Sequence, residues 1–505
     1  MPIALFLTVF LIAGCGLIYE LVAGALASYL LGDSITQFST IIGTYLFAMG
    51  IGSWMTRYIV RGVVVRFVTV ELLVGVIGGF SSAVLFLAFS YTDAFRPLLY
   101  GIVGIIGVLV GIEIPLLMRI LRDRFEFKDV VANVLTFDYV GALGASLLFP
   151  LVLVPRVGLV RSAMLFGIVN ILVALWSTWL FRRELPGLRG MRITGVIALA
   201  ALLAGIFNAK RITTLAEEGL YADPVLLARD SPYQRIVVTG WKDDLRLHLN
   251  GHLQFSSRDE YRYHEALVHP GLARRAATAA PRSLRVLVLG GGDGLAAREI
   301  LRYAAVRAVT LVDLDAAVTR LFRENAKLRD LNGSSLLDKR VTIVNDDAFQ
   351  WLDKHTDQFD FVVVDFPDPS NFSVGKLYST AFYRLLGQRV ADGGIVVVQA
   401  TSPLFARRSF WSIAETLKAA RWRVWPYHTY VPSFGEWGFM LASKSDWTAP
   451  TDAQLPANLR FASARTIAPM LDFALDMARV PAEANTLDTQ VLVRYYEEEW
   501  ATINR

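Results

Sequence analysis

Seven long apolar stretches occupy the first two-fifths of the chain, and they restrict its fold more than any other feature. A stretch that crosses a bilayer needs about 20 residues and must be helical, because its backbone groups find no water to bond. Repetition of the stretches argues against a single cleavable signal peptide. They also account for a hydrophobic content of 54%. We therefore predict a multi-pass α-helical membrane domain at residues 1–208, with six or seven spans taken from residues 3–31, 35–60, 67–89, 98–121, 131–154, 160–181 and 193–207.

Four acidic residues and several glycines lie within or beside these stretches. A carboxylate inside a bilayer is costly and is often functional. Two interpretations remain open: the acids belong to a conduit for cations, or they pair with Arg, Tyr or backbone groups between helices. The glycines predict close helix packing. The acids are Glu20, Glu71, Glu113 and Asp138, and the glycines are Gly14, Gly16, Gly24, Gly43, Gly50 and Gly52.

Basic residues cluster in alternate loops between the stretches. The positive-inside rule assigns these loops, and with them the amino terminus, to the cytoplasm. Seven spans would then put the rest of the chain outside, whereas six would leave it in the cytoplasm. The last stretch, 193–207, is the shortest and contains glycine. The basic residues are Arg57, Arg61, Arg66, Arg119, Arg122, Arg124, Lys128, Arg182, Arg183, Arg189 and Arg192.

Composition argues against several classes of function. Cys15 is the single cysteine, so an intrachain disulfide is impossible. No His or Cys group has the spacing of metal ligands, and we predict no metal site. The net charge of +5 is largely explained by the loops at the membrane, so we predict no nucleic-acid binding.

After the membrane domain the pattern changes to alternating strands and helices. The apolar run 286–289 stops at a glycine-rich turn, GGGDG at 290–294, and a helical pattern follows. A second apolar run ends at Asp313, about 20 residues past the glycines, where a ribose-binding acid is expected. This arrangement predicts a Rossmann-like α/β sheet with a nucleoside site that includes Gly290, Asp293 and Asp313.

More acids follow the next strands. Asp347 comes after one apolar run, and Asp365 and Asp368 come after another. Ligands of open α/β sheets bind outside the carboxyl ends of the strands, so these acids, Asp293 and Asp313 should share one crevice. We therefore predict a cationic ligand. The proline between Asp365 and Asp368 prevents a helix, so both side chains can lie beside one substrate nitrogen.

Seven short motifs follow one another between residues 231 and 444. They are SPYQ at 231–234, LNGHLQ at 249–254, DEYRYHE at 259–265, GGGDG at 290–294, DA at 347–348, DFPDP at 365–369 and GKLYS at 375–379. In this order they resemble the spermidine synthases, or polyamine aminopropyltransferases. The resemblance implies a class I methyltransferase-type catalytic domain. It also implies transfer of an aminopropyl group from decarboxylated S-adenosylmethionine to putrescine, which yields spermidine and methylthioadenosine without a further cofactor.

The resemblance also implies roles for single residues. Asp365 is the implied general base, and Asp293 is the implied contact of the donor's amine, where an acid would repel the carboxylate of ordinary S-adenosylmethionine. Asp368 and His264 are implied as counter-charges for the far ammonium of the diamine, with Tyr263 nearby. For the nucleoside, the implied residues are Gln234 and Gly290, Asp313 on the ribose hydroxyls, Asp347 and Ala348 near the adenine, and Phe372 in the place of a proline beside it.

Other positions depart from the family pattern and leave alternatives open. Asn250 replaces an aspartate, Ala348 a glycine, and Phe434 a tyrosine that helps to orient the attacking amine, with Glu436 as a candidate substitute. A methyltransferase would need a pocket for the methionine carboxylate, which the acids disfavour. A non-catalytic membrane protein that senses or transports polyamines remains the alternative function.

The motifs and the apolar stretches together predict four segments. These are the membrane domain 1–208, a connector 209–229, the catalytic domain 230–448 with a small β region at 234–254, and a tail 449–505 that docks on it without catalytic residues. We expect a multi-pass protein of the inner membrane. Because the donor is cytosolic, we expect the catalytic domain in the cytoplasm. Further expected partners are a diamine, the lipid bilayer, and a second copy or three further copies of the chain in a homodimer or homotetramer.

Overall fold

The computed structural model of the chain describes residues 2–31, 34–92, 94–122, 126–182, 185, 187–219 and 221–503. The chain divides into two compact units, Met1–Val225 and Leu226–Arg505. Two of the basic loop residues, Arg124 and Arg183, lie outside the described residues.

The described part of the first unit forms seven long helices. All seven are long and apolar enough to cross a membrane by length and composition. The last apolar stretch, 193–207, therefore belongs to an uninterrupted helix despite its glycine. The helices are α1 (Pro2–Leu31), α2 (Ser34–Met55), α3 (Val63–Tyr91), α4 (Phe95–Arg122), α5 (Phe127–Leu148), α6 (Leu159–Leu180) and α7 (Leu188–Glu218), with a π-helix at Phe149–Val157.

Helix α7 continues into the predicted connector 209–229. Residues 208–218 contain neither glycine nor proline, so no helix-breaking residue ends the helix where the apolar stretch ends. The same connector also supplies the first strand of the second unit, β1 (Val225–Asp230). A separate connector is thus reduced to a few residues between α7 and β1.

Close packing explains some of the glycines in the helices. A Cβ on Gly52 of α2 would collide with the backbone of Val108 in α4, and a Cβ on Gly24 would meet the ring of Phe38 at 2.8 Å. At Gly43 and Gly50 nothing lies within 4 Å of a would-be Cβ. The packing prediction is therefore confirmed for Gly52 and Gly24 and is wrong for Gly43 and Gly50. Of the two others, Gly16 is tight, with Val110 at 3.0 Å, and Gly14 has only ordinary contacts.

Three acids, Glu20, Glu71 and Glu113, are buried among the described helices of the first unit. Glu71 accepts a hydrogen bond from Asn170 Nδ2 at 3.0 Å, and the Asn170 side chain also contacts the Tyr19 hydroxyl at 3.4 Å. Glu113 is 1% exposed, and neither of its carboxyl oxygens has a hydrogen-bond partner among the described residues. Glu20 lines a small cavity with Tyr19 and other residues. Asn170 thus accounts for one carboxyl oxygen of Glu71, whereas Oε1 of Glu71 and both oxygens of Glu113 have no hydrogen-bond partner among the described residues.

A seven-stranded sheet forms the core of the second unit. Its strand order is β10-β11-β9-β8-β5-β6-β7. Strands β5 to β9 run parallel to one another. Strand β11 is antiparallel to β9, and β10 is antiparallel to β11. The strands are β5 (Leu284–Gly290), β6 (Val306–Val312), β7 (Val341–Val344), β8 (Phe359–Asp365), β9 (Val390–Gln399), β10 (Arg423–Val431) and β11 (Gly435–Ser443).

This strand order confirms the Rossmann-like, class I methyltransferase-type fold. The chain winds in one direction from β5 through β6 to β7 and in the other direction from β8 to β9. A crevice therefore opens at the carboxyl ends of β5 and β8, where ligands of such sheets bind. The parallel strands are continuous apolar runs because helices cover both faces of the sheet.

A small four-stranded sheet precedes the large one, with the order β1-β2-β3-β4. Residues Asn250 and Gly251 form the two-residue turn between β3 and β4, with φ angles of 50° and 82°. Asparagine and glycine tolerate this left-handed conformation, which explains why asparagine fits in the place of the family's aspartate. The remaining strands are β2 (Arg235–Trp241), β3 (Asp244–Leu249) and β4 (His252–Ser256).

Ten helices complete the described part of the second unit. The tail docks on the catalytic fold as predicted: the buried Glu265 carboxylate accepts hydrogen bonds of 2.8–2.9 Å from the backbone N–H groups of Arg460, Phe461 and Ala462. The helices are α8 (Glu260–Ala276), α9 (Leu295–Ile300), α10 (Ala316–Glu324), α11 (Ala326–Leu331), α12 (Ala348–Lys354), α13 (Phe372–Gly375), α14 (Thr380–Gly387), α15 (Arg407–Ala419), α16 (Ala464–Ile467) and α17 (Val491–Ile503).

Candidate active site

The glycine-rich turn lies beside Asp365. Strand β5 ends at Gly290, which pairs with Asp365 at the end of β8. Gly290 and Gly291 have φ angles of 82° and 64°, and a Cβ on Gly290 would collide with the Asp365 carbonyl group. Glycine is required here both by the left-handed backbone and by the close approach of β8. The predicted turn and the predicted base therefore adjoin each other.

The Asp365 carboxylate is held by Tyr263 of α8. The Tyr263 hydroxyl donates a hydrogen bond of 2.6 Å to Asp365 Oδ1. Burial raises the pKa of Asp365 to about 6, while the positive charge of His264 and the hydrogen bond from Tyr263 act in the opposite direction. A carboxyl group with such a pKa is ionised near neutral pH and remains more basic than an exposed aspartate.

His264 has a different environment from the one that the resemblance implies. Its Nδ1 lies 2.9 Å from the Glu260 carboxylate, which also accepts two hydrogen bonds of 2.9 Å from Arg298. Burial lowers the pKa of His264, but the hydrogen bond and the charge of Glu260 outweigh it, and the pKa is raised. Its Nδ1 thus already has a carboxylate partner, and a positive charge on the ring favours the ionised forms of Asp293 and Asp365. The role of His264 as a counter-charge for the diamine stays a prediction that this environment does not favour.

Asp293 lies in the turn between β5 and α9. Its Oδ1 accepts a hydrogen bond from Leu295 N at 2.9 Å, so the carboxylate caps the start of α9. Burial raises the pKa of Asp293, and the charge of His264 opposes this rise. The turn that carries Asp293 also donates to Asp313, through Gly292 N at 3.0 Å, and adjoins Asp365 at the end of β8, so three of the five predicted acids lie around one turn.

Asp368 is surrounded by hydrogen-bond donors. Its Oδ1 accepts from Gln399 Nε2 at 3.2 Å, and its Oδ2 accepts from Thr401 Oγ1 at 3.1 Å and from the Tyr496 hydroxyl at 3.0 Å. Burial raises the pKa of Asp368 to about 6, and the three hydrogen bonds lower it. These three donors therefore fix the orientation of the carboxylate.

Asp313 and Gln234 meet through Asp315. The two carboxyl oxygens of Asp313 accept hydrogen bonds from Gly292 N at 3.0 Å and Asp315 N at 2.8 Å. Burial raises the pKa of Asp313 to about 6, against these backbone bonds. Gln234 Nε2 donates to Asp315 Oδ2 at 3.0 Å, which ties the small sheet to the turn after β6.

Asp347 is neutralised by a lysine that the sequence analysis did not select. Lys376 Nζ lies 2.7 Å from Asp347 Oδ2, and Asp347 Oδ1 caps α12 through the N–H groups of Phe349 and Gln350. Burial opposes ionisation, but Lys376 and the backbone bonds lower the pKa of Asp347. With this ion pair, the crevice carries less negative charge than five free acids would give.

Phe372 begins the short helix α13, which lies next to the tail. Its carbonyl group accepts a 3.4 Å hydrogen bond from Gln490 Nε2, and its side chain is 37% exposed. Ala348 is the first residue of α12 and is 7% exposed. Ala348 directly follows Asp347, and Phe372 lies in the segment before Lys376, the partner of Asp347.

A family model described as "Spermine/spermidine synthase domain" matches residues 260–452. "Polyamine aminopropyltransferase 2" of Ralstonia nicotianae is 57% identical over 99% of this chain and 99% of its own length. "Polyamine aminopropyltransferase" of Leptospira interrogans is 50% identical over 100% of both chains. The chain belongs to the polyamine aminopropyltransferase family. The resemblance drawn from the motifs and the prediction of a transferase are thereby confirmed.

Two solved structures are also similar to this aminopropyltransferase. One is described as spermidine synthase from Thermotoga maritima, with 21% identity and a TM-score of 0.44 over 50% of this chain and 84% of that chain. The other is described as spermidine synthase in complex with the transition-state analogue AdoDATO, with 22% identity and a TM-score of 0.45 over 50% of this chain and 85% of that chain.

The aminopropyltransferase carries an aromatic pair at its departure from the family pattern. Phe434 packs on Trp437, with ring centroids 4.9 Å apart, and on Tyr263 at 6.1 Å. Glu436 does not replace the missing tyrosine hydroxyl, because its carboxylate lies 2.8 Å from His428 Nδ1. Phe434 therefore supports the ring of Tyr263 by packing.

Sequence reasoning missed Tyr496, Lys376 and Glu260 in the site of the aminopropyltransferase. Glu260 and Lys376 lie in the motifs at 259–265 and 375–379, so the sequence showed their charges but not the residues with which they pair. Tyr496 lies in the tail, for which no catalytic residue was predicted, 128 positions from Asp368. Its only signal was a pair of adjacent tyrosines in an amphipathic helix, and the sequence does not tell which of the two faces the site.

Proposed function

We propose that the chain transfers the aminopropyl group of decarboxylated S-adenosylmethionine to putrescine, with spermidine and methylthioadenosine as products. The observation that carries this proposal is the environment of Asp365, which lies beside the glycine-rich turn, accepts a short hydrogen bond from Tyr263, and has a pKa raised by burial to about 6. Such a carboxylate suits the task of taking a proton from an ammonium group near neutral pH.

In the proposed reaction, Asp365 accepts one proton from the attacking end of the diamine. The freed lone pair on nitrogen attacks the methylene carbon next to the sulfonium sulfur of the donor. The new C–N bond forms as the C–S bond breaks, and its electron pair goes to sulfur, which leaves as a neutral thioether. No new anion needs to be stabilised, so alignment of nitrogen and carbon supplies much of the rate.

Two further acids distinguish the substrates in this proposal. Asp368 binds the ammonium at the far end of the diamine, supported by its fixed orientation. Asp293 binds the amine of the donor, and His264 keeps Asp293 and Asp365 ionised. A donor with a carboxylate at the same place would be repelled by Asp293, so ordinary S-adenosylmethionine is a poor substrate.

The nucleoside is assigned to the ends of β6 and β7. Asp313 accepts one backbone bond on each oxygen, and a carboxylate accepts about four hydrogen bonds in all. It therefore has capacity left for two ribose hydroxyls. Asp347 and Ala348 lie on the adenine side, with Phe372 beside them, and Gln234 contributes through Asp315.

The location follows from the first unit and from the donor. Seven helices that qualify as spans favour a multi-pass protein of the inner membrane in contact with lipid. Because decarboxylated S-adenosylmethionine is made in the cytosol, we place the catalytic domain in the cytoplasm. With the amino terminus also in the cytoplasm, as the basic loops indicate, this requires that six of the seven helices cross the bilayer. A homodimer or homotetramer remains part of the proposal.

The proposal is tested with full-length protein purified in detergent. The protein is incubated with decarboxylated S-adenosylmethionine and with putrescine, cadaverine, agmatine or spermidine, and methylthioadenosine and the aminopropylated amine are quantified by mass spectrometry. We expect equal amounts of both products with putrescine, and Asp365→Asn should abolish transfer while the nucleoside still binds. Nucleoside binding without product from any amine would contradict the proposal.

A second candidate function, sensing or transport of polyamines, is favoured by one observation. Glu113 is a buried acid without a hydrogen-bond partner in the described part of the first unit, and such an intramembrane acid often belongs to a cation path. Uptake of labelled putrescine into proteoliposomes tests this function. A flux that Glu113→Gln abolishes and Asp365→Asn leaves intact would establish transport; no flux above that of empty liposomes would exclude it.

A further inference from the structure

A tyrosine from the tail reaches the acid that is assigned to the acceptor. The Tyr496 hydroxyl donates to Asp368 Oδ2 at 3.0 Å, and Tyr496 is 9% exposed. We propose that Tyr496 is a positioning residue of the acceptor site, which orients Asp368 and leaves its Oδ1 available to the ammonium group of the amine. This inference rests on the proposed function, in which Asp368 binds that ammonium.

The count of hydrogen bonds on Asp368 supports this division of its oxygens. A carboxylate oxygen accepts about two hydrogen bonds. Thr401 and Tyr496 already occupy both positions on Oδ2, at 3.1 and 3.0 Å. Among the described residues only Gln399 donates to Oδ1, at 3.2 Å. One position on Oδ1 therefore remains for an ammonium, which carries three donors and no acceptor.

Gln399 alone would hold Asp368 weakly. Its Nε2 also donates to the Phe366 carbonyl and to the Tyr378 hydroxyl, both at 2.7 Å, so the bond to Asp368 is the longest of three that share two hydrogens. Tyr496 gives the shortest hydrogen bond that the Asp368 carboxylate accepts. Loss of this hydroxyl would leave Thr401 as the remaining donor to Oδ2 among the described residues and allow the carboxylate to turn away from the amine.

Helix α17 is fixed firmly enough to position a side chain. Glu499 accepts hydrogen bonds from the first N–H groups of α15, Arg408 N at 2.6 Å and Ser409 N at 3.0 Å, and from Ser409 Oγ at 2.7 Å. The first N–H groups of a helix lack partners within it, and a carboxylate is favourable there. The Arg408 guanidinium also lies 3.8 Å from the centre of the Tyr495 ring.

The same face of α17 adds aromatic surface beside Tyr496. Trp500 follows Tyr496 by one helical turn, with ring centroids 5.8 Å apart, and its ring lies 6.2 Å from that of Phe405. Aromatic faces attract ammonium groups and pack against methylene chains. The surface thus matches an alkyl amine that carries a positive charge.

The test compares Tyr496→Phe with Tyr495→Phe in the full-length protein. The control removes a hydroxyl from the neighbouring residue, whose hydrogen bond of 3.0 Å goes to Glu483. A hydrogen bond to a charged group corresponds to a factor of about ten to one hundred. We expect Tyr496→Phe to raise KM for the amine by about that factor, with KM for the donor and kcat little changed, and the control to behave like the wild type.

A pH profile separates positioning from a loss of structure. The titratable side chains that interact with Asp368 are Tyr263, Tyr378 and Tyr496, and none of them carries a charge near pH 7. The hydrogen bond from Tyr496 lowers the pKa of Asp368, so its loss raises that pKa. The acidic limb of kcat/KM for the amine should therefore move to higher pH in Tyr496→Phe only.

Three results would overturn the inference. The first is a KM for the amine in Tyr496→Phe that lies within about two-fold of the wild-type value, together with an acidic limb of kcat/KM at the wild-type pH. The second is an equal loss of kcat and of thermal stability in both variants, which indicates a structural role. The third is a wild-type protein that forms no product with any amine, which refutes the proposed function itself and is thus distinguishable from the other two.

Discussion

Removal of one hydroxyl, by Tyr263→Phe, tests whether Asp365 is the base. Tyr263 donates to Asp365 at 2.6 Å and favours its ionised form, against burial, which raises the pKa of Asp365 to about 6. A hydrogen bond to a charged group contributes about 1.5–3 kcal/mol, and about 1.4 kcal/mol corresponds to one pH unit. The pKa of Asp365 should therefore rise by about one to two pH units in the variant.

The size of the effect depends on pH. Only ionised Asp365 accepts a proton, and at pH 6.5 a group with a pKa of about 6 is mostly ionised. With the pKa raised by about one or two units, the ionised fraction at pH 6.5 falls about three-fold or about twenty-five-fold, respectively. At pH 9 both proteins have Asp365 almost fully ionised. The ratio of wild-type to variant activity should thus be large at pH 6.5 and close to one at pH 9.

The assay is the rate of methylthioadenosine formation at saturating donor between pH 5.5 and pH 9.5. Tyr383→Phe is the matched control, because Tyr383 is buried and its hydroxyl has no hydrogen-bond partner within the described residues. It should behave like the wild type at every pH. A ratio for Tyr263→Phe that stays constant across this range, or one that the control reproduces, would refute the assignment of Asp365 as the base.

Three further predictions concern stability, electrostatics and topology. Asp365→Asn should stabilise the protein at pH 8 by at most about 3 kcal/mol in urea unfolding and should give no gain in stability below pH 4. The reason is that burial raises the pKa of Asp365 in the folded state, so the wild-type protein loses stability as pH rises through about 6. No gain at pH 8 would contradict this. His264→Gln should shift the acidic limb of kcat/KM to higher pH, because the charge of His264 lowers the pKa of Asp365; an unchanged profile would mean a neutral imidazole. For topology, green fluorescent protein fused to the carboxyl terminus should fluoresce, and alkaline phosphatase fused at the same place should be inactive, because we place this end of the chain in the cytoplasm. The reverse pattern would place the catalytic domain outside.

Local patterns in the sequence were sufficient for the elements that surround the site. The apolar runs before the glycine-rich turn and before Asp313, Asp347 and Asp365 are strands β5 to β8, and each acid lies at or just beyond a strand end. Parallel strands bring their carboxyl ends to one edge of the sheet, so the shared crevice of Asp293, Asp313 and Asp365 followed from spacing alone. The apolar helices were equally predictable, because length and composition decide whether a helix can cross a membrane.

Boundaries were less predictable than the elements themselves. Helix α7 passes the end of its apolar stretch and continues to Glu218, because the end of a hydrophobic run stops burial and not helical backbone hydrogen bonding. The glycines show a similar limit. Gly52 and Gly43 lie in the same apolar stretch, and the sequence does not distinguish them. Of the two, only Gly52 lies against another helix, because packing with neighbouring helices decides which face of a helix is covered.

The amino-acid sequence by itself determined the two kinds of domain, the strand ends, and the type of residue at each of them. The tertiary structure alone decided which side chains are partners. In the fold, His264 pairs with Glu260, Asp347 with Lys376, and Asp368 with Tyr496, which is 128 positions away in the chain. Periodicity and turn residues act over a few positions, whereas the charge and pKa of a buried group depend on every atom packed around it, however distant in sequence. The acids were therefore readable from the sequence, and their ionisation only from the fold.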